Sequence, residues 1–78
     1  MLRYRLEYED ETRAIYVYFP EEGKDSGKVS ISKGSGECSI ISLAESDKYK
    51  SYVFHLLSIL RDFAKDGVFK ESGIVAWY

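Results

Sequence analysis

The stretch SDKYKSYVFHLLSILRDFAKDG, residues 46–67, decides the fold. Within it Tyr49, Tyr52, Val53, Leu56, Ile59, Leu60, Phe63 and Ala64 recur at spacings of three and four. At about 100° per residue these positions make one apolar face of a helix. Leu57 widens that face, and Lys48, Lys50, Ser51, Ser58, Arg61, Asp62 and Lys65 fall opposite it. Ser46 is the expected N-cap, with Asp47 complementing the positive end of the helix dipole. Gly67 ends the pattern, because glycine takes positive φ just past a helix C-terminus. Val68 is then expected to pack against Phe63. Phe54 breaks the stripe. It lands on the polar side near Lys50, Arg61 and Lys65, as a candidate anchor for a partner.

Working outward, the preceding chain reads as strands. Leu2 to Glu9 alternates strictly, with Leu2, Tyr4, Leu6 and Tyr8 on one face and Arg3, Arg5, Glu7 and Glu9 on the other. Asp10-Glu11-Thr12 is a break of turn length. Arg13 to Phe19 is rich in β-branched and aromatic residues and apolar on both faces, the mark of a central strand. Pro20 ends it by removing a ladder donor. Glu21 to Gly27 is an acidic loop. Lys28 to Lys33 alternates again with Val29 and Ile31 inward, Gly34-Ser35-Gly36-Glu37 makes a hairpin turn, and Cys38 to Leu43 supplies a fourth strand with Ile41 and Leu43 as core contacts. After the helix, Lys70 to Gly73 is a turn and Ile74 to Tyr78 a last short strand.

The expected fold is α+β, with topology ββββαβ and one helix on one face of an antiparallel meander. The helix returns the chain, so the last strand runs parallel to the fourth and pairs antiparallel beside the first, giving the order 4-3-2-1-5. Leu2, Tyr4, Leu6, Ile15, Val17, Phe19, Val29 and Ile31 are expected under the helix. Arg3, Arg5, Glu7, Tyr16, Tyr18, Ser30, Ser32 and Ile40 then face outward, joined by Trp77. Tyr and Arg together are enriched at interface cores. The candidate interaction surface is therefore Arg3, Arg5, Tyr16, Tyr18, Phe54 and Trp77.

Composition bounds the chemistry. Seventy-eight residues make one domain, 1–78, with a modest core. Cys38 is the single cysteine, so no internal disulfide forms, which suits a reducing compartment. With no signal-peptide pattern and no apolar run of membrane length, the expectation is a cytoplasmic chain. Self-association then becomes the expected extra source of stability, as a homodimer through the sheet face or an edge strand. The net charge is −2, and residues 1–27 carry four basic against seven acidic side chains. Nucleic acid is a poor expectation for such a chain.

His55 is the single histidine, and neither a zinc site nor an EF-hand fits the spacings. Cys38 and His55 could form a nucleophile–base pair across strand and helix, but Cys38 reads better as a small packed hydrophobe. Gly34-Ser35-Gly36 could nest a phosphate, yet a hairpin turn explains it fully. No cofactor, metal or small-molecule substrate is inferred, and no catalytic cluster emerges.

The segment Tyr16-Val17-Tyr18-Phe19-Pro20, followed by an acidic loop, more strand and a helix, resembles the start of HicB-type antitoxin domains. The detailed match covers residues 13–22. The resemblance implies a β-β-β-α-β core that neutralises a small RNA-cleaving partner. This chain departs from that pattern in its extra hairpin around Gly34-Ser35-Gly36, and it lacks both the Gly-Asp-Thr segment before the helix and a DNA-binding extension. The expected function is thus a small non-catalytic protein-interaction module that self-associates through its sheet. The alternative is a nucleic-acid-related regulator, or an antitoxin- or inhibitor-like accessory protein of bacterial or phage origin. What separates them is whether Arg3 and Arg5 are locked by Glu7 and Glu9 or reach outward.

Overall fold

The computed structural model describes residues 1–21 and 25–76. Strands β1 (Leu2–Glu9), β2 (Arg13–Pro20), β3 (Gly27–Ser32) and β4 (Cys38–Ser42) precede helix α1 (Ser51–Asp66), and β5 (Ser72–Val75) follows it. The sheet order is β4-β3-β2-β1-β5, with every neighbouring pair antiparallel. Alternation in the meander and the return through α1 produce this order, as the sequence predicts. Trp77 lies outside the described residues.

The helix begins at Ser51, more than a turn later than its pattern suggests. Ser46 is no cap: its N–H and hydroxyl both donate to the Asp25 carboxylate, at 2.8 and 3.1 Å. Asp47 is buried and reaches forward instead, accepting the N–H groups of Tyr52 (3.0 Å) and Val53 (2.9 Å). Those are two of the donors a helix N-terminus leaves unpaired. Lys50, at φ 61°, turns the chain between them. Tyr49 therefore precedes the helix and is 90% exposed rather than part of the stripe. At the other end Gly67, at φ 74°, donates to the Phe63 carbonyl at 2.8 Å. Val68 points into solvent, and Phe69 takes its expected place against Phe63, ring centroids 6.3 Å apart.

The larger correction concerns β2. Along most of β1 the partners are Leu2↔Pro20, Tyr4↔Tyr18 and Leu6↔Tyr16, but past Leu6 the pairing becomes Tyr8↔Ile15. Glu7 has no counterpart. Continued without that shift, Tyr8↔Ile15 would imply Leu6 opposite Val17 and Tyr4 opposite Phe19, which is the face assignment that alternation suggests. One extra residue in a ladder turns every later side chain of the partner to the other side. Ala14, Tyr16 and Tyr18 accordingly join Leu2, Tyr4, Val29 and Ile31 under α1, packed on Val53, Leu56, Leu60 and Phe63. Ile15, Val17 and Phe19 look away from the helix. A second shift leaves Ile41 without a counterpart between Ser42 and Ile40, and its side chain is exposed, while Leu43 packs on the core as expected.

Burying the rings of Tyr4, Tyr16 and Tyr18 requires space and polar partners. Space comes from Gly27 opposite Tyr18 and Gly73 opposite Tyr4. A Cβ at Gly27 would collide with the Tyr18 ring and stand 2.8 Å from the Ala44 amide nitrogen. The Tyr18 hydroxyl accepts the Ala44 N–H at 3.1 Å and donates to Asp47 at 3.2 Å. The Tyr16 hydroxyl donates to the Lys70 carbonyl at 2.7 Å. Tyr18 thus pins the chain entering α1, and Tyr16 pins the chain leaving it.

Candidate functional site: the uncovered face of the sheet

With the helix on one side, the other side of the sheet is open. Partners directly opposite in the ladder share a face, so Arg3 and Phe19, Arg5 and Val17, Val17 and Lys28, and Tyr8 and Ile15 all belong to it. The Arg3 and Arg5 guanidinium carbons lie 5.8 and 5.9 Å from the half-buried Phe19 ring centroid. Arg13 lies 5.5 Å from the ring centroid of Tyr8. An arginine laid flat on an aromatic ring keeps its planar N–H edges directed outward.

Several acidic side chains near this face are committed elsewhere. Glu7 bridges to Lys28 at 2.8 Å, spanning β2 on the open face, and Glu9 bridges to Lys33 at 2.5 Å. Asp10 builds the β1–β2 turn by accepting the N–H groups of Thr12 and Arg13 and the hydroxyls of Thr12 and Tyr8. The Tyr8 hydroxyl and the turn amides hold its carboxyl well below the usual carboxylate range. Asp25 ties Ser46, and Glu21 accepts the Tyr52 hydroxyl at 2.9 Å. Among the described residues Arg3 and Arg5 have no ion-pair partner. Among the described residues the face thus carries three arginines in no ion pair, one internally balanced Glu7–Lys28 pair, and an apolar floor of half-buried Ile15 and Phe19 with Val17 buried between them.

The residues singled out from sequence separate. Arg3 and Arg5 stand on the open face, as expected. Tyr16 and Tyr18 do not: both are fully buried under α1. Burial pushes the Tyr18 hydroxyl up to about 12, with the Ala44 N–H opposing and the Asp47 carboxylate reinforcing. Burial likewise raises Tyr16 strongly. Phe54 is 57% exposed on α1, on the far side of the molecule from the arginines. Phe19, Val17, Tyr8 and Arg13 were missed. The signals that point to them are Gly27, which in a strand marks close approach of a ring, and the unsettled register across the Asp10 turn. Cys38 is half-buried beside the β3–β4 turn, its Sγ 3.7 Å from the Gly36 carbonyl oxygen. Burial raises its thiol, with Arg61 opposing. Among the described residues no helix is long and apolar enough to cross a membrane.

No family model, no curated protein and no solved structure matches this chain.

Proposed function

We propose that this chain is a non-catalytic interaction module whose open sheet face receives an acidic segment of a partner protein. The observation that carries the reading is the pair Arg3 and Arg5, set over Phe19 and in no ion pair among the described residues. A partner carboxylate meeting an arginine fork gains a charge-assisted, two-point contact, and the apolar floor beneath supplies the water-excluding area that such contacts need. Two copies meeting face to face would instead set arginines against arginines, which disfavours self-association through this surface. A nucleic acid would find the same arginines, but it would also meet the acidic balance of the chain as a whole.

A tagged chain used to capture partners from a lysate of the source cells, beside an Arg3→Ser/Arg5→Ser variant, tests the reading. It predicts an acidic protein retained by the wild type and lost by the variant. The same proteins on both, or nucleic acid alone, would overturn it.

A second reading keeps self-association and moves it to an edge. β4 is an edge strand whose Ser39, Ile40, Ile41 and Ser42 are all exposed, with no Lys, Arg or Pro to deter strand pairing. Light scattering would find dimers reduced by Ile40→Lys if this edge pairs. A monomer at micromolar concentration would remove the reading.

A further inference from the structure

We infer that the cleft between the β3–β4 turn and the last turns of α1 is a binding site for the phosphate group of a small molecule. The cleft, of about 470 Å³, is lined by Lys33, Gly34, Ser35, Gly36, Arg61, Ala64 and Lys65. It is set apart from the open face: its cations come from α1 and the hairpin turn, and none of the three sheet-face arginines lines it.

Arg61 and Lys65 stand four residues apart on α1, both exposed and both without an ion-pair partner among the described residues. Like charges at that spacing repel across one helical turn. Acids adjoin both in sequence, Asp62 and Asp66, yet neither pairs with them. A dianion between the two cations converts that repulsion into attraction.

The opposite wall supplies donors. Among the described residues the amides of Gly34 and Ser35 have no acceptor. The Ser35 Oγ accepts the Glu37 N–H at 3.2 Å, which leaves its own proton to donate. Successive backbone N–H groups in a turn make a concave seat for an anion. Lys33 stands at the rim, its charge balanced by Glu9 and its Nζ 5.1 Å from the Phe69 ring centroid, so the uncommitted cations of the cleft are Arg61 and Lys65. Two uncommitted cations match the charge of one phosphate dianion, and the Arg61 fork matches two of its oxygens. The polar, open walls offer little to an apolar ligand.

Nitrogen-resolved NMR titration of the whole chain with inorganic phosphate, against sodium chloride of matched ionic strength, tests this. Saturable shifts are expected at the Gly34 and Ser35 amides and the Arg61 Nε, with a Kd on the order of millimolar. An Arg61→Gln/Lys65→Gln variant changes only exposed side chains, and its unchanged amide spectrum confirms the fold. It should bind about tenfold or more weakly, since both side chains give the phosphate charge-assisted hydrogen bonds that glutamine does not. Phenyl phosphate, run alongside, distinguishes the source: equal or tighter binding assigns phosphate esters, and weaker binding assigns free phosphate. Shifts reproduced by chloride, unaltered in the variant, or centred on Arg3, Arg5 and Arg13 would overturn the site.

Discussion

The two faces of β2 are equally apolar in sequence and opposite in use. Toward the helix, Tyr16 and Tyr18 are wholly buried, and each hydroxyl is bonded to a segment flanking α1. Away from it, half-buried Ile15 and Phe19 flank a buried Val17, with the Arg3 and Arg5 guanidiniums over the Phe19 ring and the Glu7–Lys28 pair alongside. Hydroxyl-bearing rings are the costlier ones to bury, because each phenol needs a partner once it is taken out of water. They sit inside here because their hydroxyls fasten both ends of the helix. The simpler side chains are left outside, where arginine stems shield them. An exposed tyrosine and a buried one thus cannot be told apart by hydropathy; the bonds available to the hydroxyl decide.

The contrast breaks most visibly if both inner rings are removed. Truncating a buried aromatic costs about 3–5 kcal/mol, and small domains hold about 5–15 kcal/mol in all. Tyr16→Ser/Tyr18→Ser should therefore be unfolded by circular dichroism at room temperature. An interface role for those tyrosines would leave it folded.

Tyr18→Phe is the next step down. It keeps the ring but strands the Ala44 N–H and removes one partner of Asp47, a loss of about 1–3 kcal/mol in urea unfolding. Tyr16→Phe frees a single carbonyl and should lose about 1 kcal/mol.

Alkaline pH sharpens the comparison without mutation. Tyr4, Tyr16 and Tyr18 are all raised by burial, so above their ordinary 10.0 the folded chain keeps protons that the unfolded chain has lost. Stability is complete below pH 10.0 and falls as pH climbs toward about 12, the Tyr18 value. The phenolate absorbance of Tyr16 and Tyr18 should accordingly appear only together with loss of the folded circular-dichroism signal.

The outer face should give the smallest stability changes. Arg3→Ser/Arg5→Ser should stay within about 0.5 kcal/mol of the wild type, as exposed substitutions do. At acid pH the depressed Asp10 contributes stability that is present above its ordinary 3.8 and is lost as pH falls below it. Asp10→Asn should flatten that acid limb.

Much of the fold was legible because it rests on periodicity. The stripe from Tyr52 to Phe63 and the alternation of Leu2 to Glu9 each have one physical reading, and the glycines of Gly34-Ser35-Gly36 mark a turn between strands. Strand order then follows from alternation and chain return. The site was less legible. Its faces depend on register, and register here is set by Glu7, whose lack of a counterpart in the β1–β2 ladder leaves no trace in hydropathy. The helix start was misplaced for a related reason: Ser46 and Asp47 are both good caps, and only packing shows that Asp47 reaches forward while Ser46 is held by Asp25. Arg3 and Arg5 were found because their own strand was in phase, and Phe19 was lost because its strand was not.

The most direct test of the two-faced strand is a proton NOE spectrum of the aromatic rings. The structure predicts contacts between the Tyr16 and Phe63 rings, whose centroids are 6.1 Å apart, and between Phe19 and the side chains of Arg3 and Arg5. NOEs from Phe19 to Phe63 or Leu60, with Tyr16 and Tyr18 seeing the arginines instead, would contradict the register and with it the proposed binding face.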